Sequence, residues 1–210
     1  MFPIAYRDTL AARDALYAIA ARQGGYVTTS QARDAGYGDS HLTYHRGTGQ
    51  LERVGHGLYR VPSIPLHEHD ELIRLALWSR DRSGRPQAVV SHDTALALHG
   101  LSDVLPVATH LTVPPKFRKP RPPTCVLHVG RVPKDDFRPW TVFSVTTPGR
   151  TLADASSSQT VTAELLGQAV AQALREGLAT VEDLRHRCVA VPRGRLAAAL
   201  QAATSSGHSQ

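Results

Sequence analysis

The sequence predicts a mixed α/β protein in two parts. A small N-terminal module of short helices and a hairpin precedes a C-terminal domain with a small mixed or antiparallel sheet flanked by helices. Three observations carry this. Residues 25–61 read as two short helices around a glycine turn, followed by two apolar runs separated by another glycine-bearing turn. Pro62 and Pro65 then interrupt regular structure. Beyond them, helical patterns alternate with short strand-like runs at residues 87–90, 110–113, 125–129 and 141–145. The implied division is residues 1–62, residues 66–204, and a disordered tail at residues 205–210.

The first module is argued joint by joint. Residues 6–23 form a scaffold helix, with Ala12, Leu16, Ile19 and Ala20 at helical spacing and Gly24-Gly25 ending it. Thr28 caps the next helix, with Gln31 three residues on to complete a capping box. Ala32 and Ala35 give that helix a thin inner face, and Gly36 fits a left-handed helix end. Asp39 or Ser40 caps the second helix. Leu42 and His45 share its inner face, while Ser40, His41, Thr43 and Tyr44 point out with Arg46 on the flank. Gly47 and Gly49 close it and keep it short. The hairpin tip carries His56 between Arg53 and Arg60. This is the order of a winged helix-turn-helix, whose second helix enters the DNA major groove while the wing rests on phosphates. The expected DNA contacts are Thr29, Gln31, Ser40, His41, Thr43, Tyr44, Arg46, Arg53, His56 and Arg60. A winged helix used only for protein contacts is the alternative.

Composition narrows the class. Across 210 residues, 41% are hydrophobic and 20% charged, ordinary for a globular protein. No apolar run approaches the roughly 20 residues that span a bilayer, and the charged start does not read as a secretion signal. A cytoplasmic protein without a membrane partner is expected. Cys125 and Cys188 lie far apart, in the manner of two ordinary thiols. The net charge of +6 is distributed as +2 up to Val61, +4 from Pro62 to Arg150 and zero thereafter. The helix-turn-helix module is therefore only mildly basic.

In the second part, residues 67–82 read as a buried helix with acids at its start and arginines at its end. Ser91 caps a helix running to His99, and Thr147-Pro148 opens another ending at Ala155. A long helix spans residues 161–176, Thr180 with Asp183 caps a short one, and an alanine-rich helix covers residues 194–203. Between two strands lies PPKFRKPRPP at residues 114–123, an exposed and stiff basic loop. Its Lys116, Arg118, Lys119 and Arg121 suit nucleic acid or an acidic partner surface. A solvated spacer between strands is the other reading.

Nothing in the pattern looks catalytic. HEHDE at residues 67–71 lacks the i, i+4 histidine pair of a zinc helix. Ser91, His92 and Asp93 are adjacent, and adjacent helical residues do not face one another. None of Lys116, Lys119 and Lys134 sits in a strand beside a carboxylate as a metal-dependent nuclease requires. No glycine-rich phosphate loop is present. No catalytic residue, metal or cofactor is expected.

The run at residues 25–61, followed by SHDTALALHGL (residues 91–101), THLTVP (residues 109–114) and TTPGRTLADA (residues 146–155), resembles the AbiEi-type antitoxins of bacterial abortive-infection, type IV toxin–antitoxin systems. The resemblance implies an antitoxin that represses its own operon at repeated operator half-sites, with a dimer on double-stranded DNA as one arrangement. It also implies counteraction of a nucleotidyltransferase-like toxin encoded beside it. The alternative is a stand-alone winged-helix regulator whose C-terminal domain senses a ligand or oligomerises.

Overall fold

A computed structural model describes residues 4–101, 103, 106–190 and 194–206. The chain forms two compact units, Met1–Pro86 and Gln87–Gln210.

The first unit begins with helix α1 (Ile4–Ala21), followed by β1 (Tyr26–Thr28), α2 (Thr29–Asp34), α3 (Asp39–Gly47), β2 (Glu52–Gly55), β3 (Leu58–Arg60) and α4 (Asp70–Ser79). The capping box is present: the Thr28 hydroxyl accepts from Gln31 N–H, and the Gln31 side chain accepts from Thr28 N–H. Gly36 has φ +94°, and a side chain there would crowd Ala12 of α1. At α3 the expected cap is absent. Gly38 holds the N-cap position with no side-chain bond, and Asp39 instead pairs with Arg33 at 2.9 Å.

The three strands form an antiparallel sheet in the order β1–β3–β2. Alternation along the strands sends Val27 and Tyr59 into the core with Leu16, Ala20, Ala32, Tyr37, Leu42 and Val61. Tyr26 and Arg60, paired across the strands, take the other face. There the Tyr26 hydroxyl donates to Asp70 of α4 at 2.7 Å. Burial, then the Asp70 contact, pushes the Tyr26 phenol up to about 12. Arg80 donates to buried Gln23 at 2.6 Å, and Ile73 fills the space over Gly24. The compact unit therefore runs to Pro86, past the stretch at residues 62–65 where the sequence reading divides the chain. Helix α4 is itself shorter than expected, because residues 67–69 form a turn in which His69 N–H donates to His67 Nδ1.

The second unit carries β4 (Val89–Val90), α5 (His92–Leu98), β5 (Thr109–Val113), β6 (Cys125–Val129), a 3-10 turn (Lys134–Asp136), β7 (Phe137–Pro139) and β8 (Ser144–Thr146). Helices α6 (Pro148–Ala155), α7 (Ala163–Arg175), α8 (Val181–Ala190) and α9 (Arg195–Ser206) follow. The sheet is mixed, ordered β6–β5–β4–β8–β7, with β5/β6 and β4/β8 parallel and the other pairs antiparallel. Strand β7 has no counterpart in the sequence reading. The helices enclose a core of Leu96, Leu152, Leu166, Val170, Leu184 and Leu196 with small residues between them. Thr162 and Thr180 cap α7 and α8 with their hydroxyls. Ser91 and Thr147 occupy N-cap positions, but neither hydroxyl caps its helix. The Ser91 hydroxyl is engaged by Thr112 and His92 instead. Ser205 and Ser206 end α9; residues 207–210, the rest of the expected tail, lie outside the described residues.

Candidate DNA interface

Helix α3 is held from below and left open above. Leu42 is buried to 3% exposure, and Tyr37 in the turn packs its ring against His45 at 5.1 Å and His41 at 6.1 Å. Ser40, His41, Thr43, Tyr44 and Arg46 are exposed, Tyr44 at 64%. The Thr43 hydroxyl donates to the Asp39 carbonyl at 2.9 Å, which leaves its methyl as the free contact surface. The Arg33–Asp39 pair matters electrostatically. Asp39 is the first residue of α3, and Arg33 offsets the negative charge it would otherwise place there.

The wing is the β2–β3 hairpin, turning at His56-Gly57 with an irregular register between Arg53 and Gly55. His56 is exposed. Arg53 is exposed and folds back to donate to the Gly55 carbonyl at 3.3 Å. Between α3 and β2 lies an open concavity of about 620 Å³, lined by Thr43, Arg46, Leu51, Glu52, Arg53 and Pro62 with Gly47 and Gly49. It brings arginines of helix and wing to one surface. Thr29, at the start of α2, ties that helix to the tip of the hairpin, its N–H donating to the Gly57 carbonyl at 2.9 Å.

Two expected contacts are placed elsewhere. The Gln31 amide is committed to Thr28 and to a reciprocal pair with Gln23 at 3.0 Å in both directions. Arg60 lies on the α4 face of the sheet and donates to the Ile64 carbonyl at 2.8 Å. Alternation along β3 explains it: Tyr59 must face the core, so Arg60 faces away from it. Arg33 and Tyr37 were missed because their roles depend on how α2 and α3 meet.

In the second unit, Lys116, Arg118, Lys119 and Arg121 are exposed on the proline-rich connection between β5 and β6. Two of them also brace their own backbone. Arg118 donates to the carbonyls of Pro115 and Phe117 at 3.4 and 3.2 Å, and Arg121 to that of Cys125 at 2.6 Å.

A polar layer in this unit escaped the sequence reading. His92, His110 and His128 meet there, with the His92 and His128 rings stacked at 3.4 Å and His128 Nε2 3.2 Å from His110 Nδ1. His92 has φ +51°, the one non-glycine with positive φ among the described residues. Burial, then the neighbouring rings, pulls His92 and His128 down to about 4, and burial lowers His110. All three rings are therefore neutral at pH 7. Beside them runs a chain of ion pairs in which Arg150 holds Asp154 (2.8 Å) and Asp136 (3.0 Å). Arg187 holds Asp136 and Asp183, both at 2.9 Å. Burial pushes Asp136 up, but the two arginines outweigh it and its carboxyl titrates below the usual range. For Asp154 burial wins over Arg150 and raises it; its Oδ2 has no partner. Among the described residues, no group of three or more His, Cys, Asp or Glu side chains is set to hold a metal ion. His110 and Thr112 share one face of β5, and in register His128 joins it. The pairing of β5 with β6 was the missing signal.

The N-terminal module also matches known sequence. Residues 14–62 match the AbiEi antitoxin family of transcriptional regulators. The AbiEi match runs from within α1, at residue 14, through β3, so it takes in α3 and the hairpin, and it stops before the second unit. Among solved structures, the chain is similar to the crystal structure of the RV2827C protein from Mycobacterium tuberculosis. The TM-score is 0.62 at 16% identity, over 91% of this chain and 77% of that one. That likeness is one of fold. No curated protein matches. No helix among the described residues is long and apolar enough to cross a membrane.

Proposed function

We propose that the protein is the antitoxin of a bacterial abortive-infection pair. It acts in the cytoplasm, represses its own operon by binding operator DNA, and counteracts a nucleotidyltransferase-like toxin encoded beside it. The observation that supports this most directly is α3: polar and aromatic residues stand exposed along a helix whose inner side is fixed by Tyr37 and Leu42, within the AbiEi-matching segment. Ser40, His41, Thr43 and Tyr44 read base edges, while Arg46, Arg53 and His56 contact phosphates. Gln31 and Arg60 support the module from within. The second unit is a partner-binding module without catalysis of its own.

Intact protein should retard DNA from upstream of its own gene at concentrations where scrambled DNA of equal length runs free. Co-expression should restore growth to cells carrying the adjacent toxin. Equal retention of both DNAs would refute the regulator reading, and unrelieved toxicity the antitoxin reading.

A further inference from the structure

The two edges of the five-stranded sheet are built differently. The β7 edge is three residues long and contains Pro139, which has no N–H to offer another strand. The β6 edge, Cys125–Val129, runs CVLHV with neither proline nor charge. Its register on β5 is bounded by Thr109 N–H donating to the Thr124 carbonyl and Gly130 N–H donating to that of Val113. In a parallel ladder these bonds alternate, so residues 126 and 128 face β5 and residues 125, 127 and 129 face outward. Arg121 occupies the Cys125 carbonyl. The outward groups of Leu127 and Val129 remain, and Val129 is 71% exposed. From Pro114 to Lys134 the sequence carries Lys116, Arg118, Lys119, Arg121, Arg131 and Lys134 and no Asp or Glu. An unguarded edge strand is thus bracketed by cations at both ends.

We propose that the β6 edge receives an extended acidic segment of a protein partner as a sixth strand. This rests on reading the second unit as a partner-binding module. Main-chain bonds to Leu127 and Val129 supply the pairing, and the flanking cations select acidic ends and speed encounter. A second copy fits poorly, because antiparallel β6–β6 pairing sets the basic loop of one chain against Arg131 and Lys134 of the other. Nucleic acid would meet the cations but leave the edge amides unmatched.

The test uses the full chain and a short synthetic peptide of alternating valine and threonine with aspartate and glutamate at both ends. Amide NMR should show saturable shifts centred on Leu127 and Val129, with slowed hydrogen exchange at both. Replacing the peptide's acids by lysines should weaken binding by about tenfold or more, the scale of charge-assisted hydrogen bonds. N-methylating the peptide amides that face β6 should abolish binding, a result independent of whether any variant of the chain folds. Val129→Pro should do the same while leaving operator binding unchanged, which separates this proposal from the DNA-binding reading. The proposal fails if no binding occurs at millimolar peptide, if N-methylation has no effect, or if shifts stay within the proline-rich loop. It also fails if a single-stranded oligonucleotide displaces the peptide and moves the same amides. Protection of Leu127 in the free chain with doubled mass in sedimentation would assign the edge to a second copy instead.

Discussion

Gly149 in α6 is a glycine whose reason lies in another helix. A Cβ there would collide with the Asp183 carboxylate, which leans against α6 while holding Arg187. Gly167 in α7 faces open space. The two give a matched prediction in urea unfolding. Gly149→Ala should lose about 1–3 kcal/mol, because Asp183 must leave Arg187 to make room. Gly167→Ala should gain about 0.5–1 kcal/mol from helix propensity alone. Equal effects would mean that the close approach of α6 and α8 does not constrain the fold. The same network gives Asp136 a structural role. It holds both Arg150 and Arg187, so its removal leaves two half-buried guanidiniums short of a partner. At this scale the sequence was informative wherever a side chain bonds its own neighbours, as at Thr28 and Gln31. It was silent at Asp39, whose partner Arg33 lies across a turn, and at Arg60, whose direction is fixed by Tyr59 facing the core.

Among elements, the layer between β5, β6 and α5 gives the fold a pH dependence. His92 and His128 take protons only at about 4 when folded and near the ordinary histidine value when unfolded. As pH falls from about 6.5 towards 4, the unfolded chain binds protons that the folded chain refuses, so stability falls with it. Asp93, Asp154 and Arg150 also face the rings. Asp154, raised in the folded state, acts in the opposite sense and offsets part of the loss. Urea midpoints measured from pH 7.5 to 5 should decline, and His128→Gln should flatten the decline. A decline of the same steepness in that variant would remove the histidine layer as its source. The strand-like runs at residues 110–113 and 125–129 were readable from apolar content. Their parallel pairing was not, since neither run specifies its neighbour, and without it the three histidines could not be placed together. A second element-scale prediction concerns the capping box. Thr28→Ala should cost about 0.5–2 kcal/mol, read as a lower urea midpoint, because it frees the first turn of α2.

At the scale of the molecule, the helix-turn-helix order was legible because each joint is local: a cap, a glycine turn, a glycine-bearing hairpin. The extent of its folding unit was not, because the prolines at 62 and 65 look like a boundary while α4 returns to the sheet through Asp70, Ile73 and Arg80. A fragment ending at Pro86 should therefore melt cooperatively and bind DNA as the intact chain does. One ending at Pro65 should be markedly less stable in thermal unfolding.

The central claim is that α3 reads operator sequence while the wing holds phosphate. Fluorescence anisotropy of the intact protein on upstream and scrambled DNA, across a salt series, tests it most directly. Tyr44→Ala should narrow the gap between the two DNAs by about 1–3 kcal/mol, the worth of a single base-edge interaction. Arg53→Ala should weaken both alike and flatten the salt slope by about one unit. The account is contradicted if the unaltered protein binds both DNAs equally, or if the two substitutions have the same effect on discrimination and on salt slope.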